Sequence, residues 1–301
     1  MSAGVIASAA APHARIRRRA RRLRRRPASV LQMATFAITN QKGGVGKTTT
    51  AVNLAACIAG AGVPTLLVDL DPQCNATVSL GQPRTLRPNA YDLLCGTAAG
   101  AAALHDTPVD LLSLIPAAVS LAGASVELPQ LAGSERRLRE ALAPLRERFE
   151  FILLDCPPSL GPITVNALVA ADHVIVPVQT EYFALEGLAQ VLETISLVRR
   201  DLNPKLTIAG MVLTMHDART RLGRDVERDV REHFAGLVFD TVIPRNIRLS
   251  EAPSFGVPVT LHDPYCAGSE AYIDLARELT ARMAPPERDP AVDTVARGDW
   301  T

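Results

Sequence analysis

The chain is short of aromatic residues, which make up 4% of it and include a single tryptophan. A core of any size must therefore come from Ala, Leu, Val and Ile. No apolar run approaches the roughly 18 residues needed to read as a membrane-spanning helix. The five cysteines, Cys57, Cys74, Cys95, Cys156 and Cys266, are odd in number and far apart. No C-x-x-C pair occurs, and no Cys/His cluster has zinc spacing. These absences argue against a disulfide scaffold and a structural zinc site. They fit buried thiols in a reducing cytoplasm.

What is present suits a soluble globular protein: 301 residues, 48% hydrophobic and 21% charged. The net charge of +1 hides an asymmetry. Nine of the 32 basic residues are arginines within residues 1–32, which hold no acid. The remainder sets 23 basic residues against 31 acidic ones, a net of −8. A basic arm on an acidic body is a layout suited to polyanions. Residues 1–32 lack the apolar stretch of a secretory signal. They read either as an Arg-rich disordered arm or as a mis-assigned start, because Met33 opens directly onto a strand-like segment.

From residue 33 to 284 strand and helix patterns alternate. Apolar runs predict strands over 35–39, 65–70, 111–115, 151–155, 173–178, 208–214 and 238–243. Several are apolar without alternation, as expected of strands covered on both faces. Helices are predicted over 48–60, 134–148, 162–170, 185–200, 222–234 and 269–284. This order implies an α/β fold with a doubly wound, mostly parallel sheet and helices on both faces, in one domain. The polar, proline-rich residues 285–301 read as a disordered tail.

Between the first strand and the first helix runs QKGGVGKTT, residues 41–49. Gln41 stands where the usual phosphate-loop pattern has glycine, and Lys42 is a second lysine. In a loop of this kind backbone N–H groups and a helix N-terminus cradle phosphates. Lys47 is expected to reach the β- and γ-phosphates, and the Thr48 hydroxyl to ligate Mg²⁺. Two carboxylates end the strand-like LLVDLD, Asp69 near the metal and Asp71 placed to orient or deprotonate an attacking water. Asp155 ends FILLD, where a carboxylate holding Mg²⁺ is expected. All three fall at carboxyl ends of strands, where open α/β sheets bind ligands.

Together KGGVGKTT, VDLDPQCNAT, FILLDCPPSLG, LTMHDART and IPRNIRLSEAPSFGVPV resemble the ParA/Soj family of chromosome- and plasmid-partitioning ATPases, over about residues 33–284. That family belongs to the deviant Walker A group. The resemblance implies an ATPase that binds ATP and Mg²⁺ through Lys42, Gly43, Gly44, Val45, Gly46, Lys47, Thr48 and Thr49. It implies catalysis by Lys42, Lys47 and Asp71, with Lys42 crossing an ATP-dependent homodimer to the partner's nucleotide. Pro244 and Asn246 are carried over as adenine contacts. Arg219, with Arg221 and Arg248 as weaker candidates, is carried over as a patch for non-specific DNA. A ParB/Spo0J-type centromere-binding protein is implied as the stimulating partner. The implied location is the cytoplasm, on the nucleoid and not on a membrane. The family usually has glycine at the position of Cys74, so cysteine there strains the loop if the backbone is left-handed. Two alternatives share the scaffold: a MinD-like, membrane-associated division-site ATPase, and a regulatory ATPase. The tail lacks the apolar stripe of the former. Read by charge alone, the arginines of residues 219–231 are a solvated helix face paired with the interleaved acids.

Overall fold

Strands and helices alternate along most of the described chain. The computed structural model describes residues 33–181 and 184–283. The expectations for residues 1–32 and 285–301 lie outside them. The strands are β1 (Ala34–Ile38), β2 (Thr65–Asp69), β3 (His105–Asp106), β4 (Leu112–Ile115), β5 (Phe151–Asp155), β6 (His173–Gln179), β7 (Thr207–His216) and β8 (Val238–Pro244). The helices are α1 (Lys47–Gly60), α2 (Asn75–Ser79), α3 (Ala90–Leu94), α4 (Leu121–Glu127), α5 (Arg137–Leu142), α6 (Pro162–Ala170), α7 (Ala184–Asp201), α8 (Arg221–His233), α9 (Ile247–Glu251), α10 (Val259–His262) and α11 (Ala267–Met283).

The strands form one sheet in the order β3-β4-β2-β5-β1-β6-β7-β8. Every pairing is parallel except β3 with β4. β1 lies between β5 and β6, so the chain winds first to one side of it and then to the other. That reversal opens a crevice beyond the carboxyl ends of the central strands.

The apolar runs are explained by burial on both faces. All five residues of β1, β2 and β5 are buried. Phe36 and Ile38 point into one core with Leu54 and Ile58 of α1 and Leu275 of α11. Ala37, between them, points into the other, with Leu168 of α6 and Leu188 of α7. α1 is buried along most of its length, which its small residues permit. α6 begins with Pro162, whose missing N–H has no partner to lose in a first turn.

Two departures from the sequence reading have physical causes. The single helix expected over 134–148 is three short pieces, a 3₁₀ turn, α5, and a second 3₁₀ turn at Ala143–Leu145. Pro144 lies in that last turn, and its ring and missing donor stop α5. The small elements β3, α2, α3, α4, α9 and α10 were not foreseen, because segments of two to seven residues carry too little periodicity to register.

Candidate functional site

The sheet register brings the two strand-ending carboxylates together. Asp69 of β2 is the in-register partner of Asp155 of β5, and Asp155 is in turn opposite Ile38 of β1. The loop after β1 therefore rises directly above them. In it Gly44 and Gly46 adopt φ of 76° and 86°, a region glycine enters without cost. Gly46 precedes α1, and Thr50 N donates to its carbonyl at 2.8 Å.

Lys47 is buried, and its Nζ donates to the Lys42 carbonyl at 3.0 Å. Burial pushes its pKa down, while Asp155, Cys156 and Asp71 oppose that. Lys42 behaves differently. Its half-exposed ammonium pairs with Glu181 Oε2 at 3.0 Å, within the same chain. Glu181 also accepts from Gln179.

The three carboxylates differ in what they touch. Asp69 Oδ2 accepts from Thr77 N and Oγ1 at 2.8 and 2.7 Å, and Oδ1 from Asp71 N at 3.1 Å. Burial raises its pKa to about 6 against those bonds. Its oxygens are thus occupied in tying α2 to the strand end. Asp71 Oδ1 accepts from Gln73 N at 2.9 Å and the residue lines the cleft. Asp155 is fully buried and forms no hydrogen bond of ordinary geometry among the described residues, though the Thr48 hydroxyl is near enough to favour its charged form. Burial raises its pKa, with Asp69 and Asp71 adding to the rise, and Thr48 and Lys47 opposing it. An unpartnered buried carboxylate next to a threonine hydroxyl suits a hard dication that takes most of its other ligands from phosphate and water.

Above these groups lies an open cleft of about 520 Å³. Gly43, Gly44, Gly46, Lys47, Thr48 and Thr49 line it, together with Pro244 and Asn246. Val45 is buried below the rim, its carbonyl accepting from Thr214 Oγ1 at 2.8 Å. Asn246 Oδ1 is used to cap α9, accepting from Arg248 N at 2.9 Å, which leaves its amide N–H groups for a ligand. The sequence reading missed Thr214, Met215, Arg245 and Tyr272, which also line the cleft. Thr214 was within the motif LTMHDART, but its contact with Val45 spans 169 residues. Cys74 adopts φ 57° and ψ 31°, so the left-handed conformation suspected at that position is present.

The arginine candidates lie apart from these carboxylates. Arg219 is exposed and chelated by Asp217, Nε to Oδ1 and Nη2 to Oδ2 both at 2.8 Å. Arg221 pairs with Asp225 at 3.4 Å, and Arg248 with Glu251 and Asp263 at 2.8 and 3.3 Å. Along α8, Arg228 and Arg231 pair with neighbouring acids, as the interleaved charge pattern implies. Backbone contact brings the two arginine segments side by side, with Arg245 N donating to the His216 carbonyl at 3.0 Å. Among the described residues no helix is long and apolar enough to cross a membrane.

Residues 33–208 match a family model described as an AAA domain. The chain is 52% identical over 247 residues to the sporulation initiation inhibitor protein Soj of Bacillus subtilis, covering 82% of this chain and 98% of that one. It is 52% identical over 260 residues to the chromosome partitioning protein ParA of Caulobacter vibrioides, covering 85% and 96%. Among solved structures it superposes on a cobyrinic acid a,c-diamide synthase of Mycobacterium smegmatis with bound ADP and magnesium, with TM-score 0.72, 39% identity and coverage of 82% and 93%. The cell division ATPase MinD of Pyrococcus furiosus gives TM-score 0.69 at 25% identity, covering 83% and 99%.

Proposed function

Because this chain belongs to the Soj/ParA family of chromosome-partitioning ATPases, we propose that its cleft binds ATP with magnesium and hydrolyses it in a homodimer that grips DNA. The observation that carries this reading is the convergence above the sheet's reversal point: a glycine-rich loop, the buried Lys47, and the unpartnered Asp155. A buried cation and a ring of backbone N–H groups make a site for a polyphosphate.

Each residue then has a task. The N–H groups of residues 43–49 and Lys47 hold the β- and γ-phosphates. Thr48 and Asp155 would hold the magnesium ion, which supplies neutralising charge to the triphosphate. Asp69 holds α2 and the Asp71 loop in place through Thr77 and the Asp71 N–H. Asp71, at the cleft surface, orients the attacking water and accepts its proton. Pro244 and Asn246 face the base. Lys42 leaves Glu181 and reaches the partner's triphosphate, where charge grows on the transferring phosphoryl group. Turnover therefore requires two subunits.

Arg219, Arg221 and Arg248 meet DNA phosphates, a contact without base readout. A ParB/Spo0J-type protein stimulates hydrolysis and so releases the DNA. The protein acts in the cytoplasm, on the nucleoid. Residues 33–284 form the ATPase domain, with residues 1–32 as an Arg-rich arm or a mis-assigned start and residues 285–301 as a polar tail.

Light scattering of the full chain tests the dimer. It should double in mass with ATP and remain monomeric with ADP. The variant Lys47→Ala is expected to lose nucleotide binding, read by titration with a fluorescent ATP analogue. Unchanged affinity in that variant would remove the loop from the mechanism.

A further inference from the structure

From Met211 to Leu222, across the end of β7 and the short turn into α8, the chain contains no glycine and is held by contacts at several points. Thr214, 2% exposed, donates from Oγ1 to the carbonyl of Val45 in the glycine-rich loop. The same side chain is what a Cβ on Gly46 would meet, at 3.7 Å. Met215 follows at φ 49°, a left-handed conformation that residues with a β-carbon seldom adopt, and it lines the cleft. His216 offers its carbonyl to Arg245 N, and its Nε2 lies 3.0 Å from Glu227 Oε2 on α8. The carbonyl of Asp217 accepts from Thr220 Oγ1 at 2.9 Å. It also lies 2.8 Å from where a Cβ on Gly223 would stand, so α8 starts packed against the turn. The Asp217 carboxylate then accepts from Nε and Nη2 along one edge of the Arg219 guanidinium and from its backbone N–H.

We propose that residues 214–219 couple the glycine-rich loop to the DNA-facing arginine, with Thr214 positioning the loop and Asp217 holding Arg219 against its own chain until the cleft is filled. This rests on the reading above, that the cleft takes ATP and that Arg219 meets DNA phosphates. A guanidinium chelated by a carboxylate presents a neutral pair, so a phosphate must displace Asp217 to gain the full charge. The same link touches the loop at one end and carries the arginine at the other, with left-handed Met215 between them. A shift of the Val45 carbonyl on phosphate binding moves Thr214, and with no glycine to absorb it the shift reaches Asp217.

Three variants of the full chain test both ends. Thr214→Val keeps the shape and removes the hydroxyl, and Thr214→Ser keeps the hydroxyl. Asp217→Asn removes the charge that holds Arg219. Affinity for a fluorescent ATP analogue is expected to fall about three- to tenfold in Thr214→Val, the range of one lost hydrogen bond, and to return in Thr214→Ser. Affinity for a random-sequence duplex without nucleotide is expected to rise several-fold in Asp217→Asn, shrinking the ratio between the ATP and nucleotide-free states. Parental affinity in Thr214→Val, equal losses in the two Thr214 variants, or an unchanged ratio in Asp217→Asn would each overturn the coupling. If the parent chain with ATP binds no duplex, the DNA half of the proposed function fails and the Asp217 half falls with it. The nucleotide titrations then still decide Thr214.

Discussion

Lys42 and Lys47 sit five residues apart with different surroundings. Lys47 is buried against the Lys42 carbonyl, while the Lys42 side chain stays half-exposed on Glu181. The proposed roles follow from that contrast. If Lys42 has the proposed role, replacing it by alanine removes a cation that acts only across the dimer. Nucleotide affinity of the single subunit should therefore stay near the parent value, while turnover falls by about a hundredfold or more, the scale of losing a trans-acting cation on a phosphoryl group. A phosphate-release assay beside the nucleotide titration checks the split, and Asp71→Ala should show the same separation for a different reason, loss of the group that orients water. At this scale much was legible. Lys47, Asp71 and Asp155 stand where strand–loop–helix order places a phosphate site, whereas Lys42 is singled out only by the family resemblance. What could not be read was who touches whom at long range. Glu181 is 139 residues from Lys42 and Thr214 is 169 from Val45, and nothing local to either marks the pairing.

At the scale of elements, the strands were readable because burial on both faces favours mostly apolar residues without alternation, and β1, β2 and β5 have them. The residues after Gly133 form short pieces where one helix is expected, because Pro144 removes a donor and clashes with the preceding turn. Gly210 shows how tightly the outer strands are set. A Cβ there would lie 2.6 Å from the Phe239 ring of β8, over which the Arg282 guanidinium sits 4.2 Å from the centroid. Phe239 is fully buried and has little room to retreat. Gly210→Ala should therefore destabilise the protein by about 1–3 kcal/mol, the usual cost of overpacking, seen as a lower urea midpoint with an unchanged slope. A neutral result would mean that β8 shifts freely against β7.

For the whole molecule the governing quantity is charge. Beyond residue 32 the chain carries 31 acidic and 23 basic residues. Arg219, Arg221 and Arg248 are each paired with an acid of the same chain. A body with net charge −8 repels a polyanion unless a local patch overcomes it. The nine arginines of residues 1–32 change that balance without adding base readout. Two measurements of duplex binding in ATP, taken across a salt series, separate the contributions. Deleting residues 1–32 should lower the slope of log affinity against log salt, because fewer counterions are released from the DNA. Arg219→Glu in the full chain should cut affinity at every salt concentration while leaving the ATP-dependent doubling of mass intact. If the deletion leaves the slope unchanged, the arginine-rich arm takes no part in DNA binding, and the patch on β7–α8 and β8–α9 carries the whole of it. If instead Arg219→Glu abolishes the doubling of mass, the arginine belongs to the subunit interface and the grip on DNA must be sought elsewhere on the dimer.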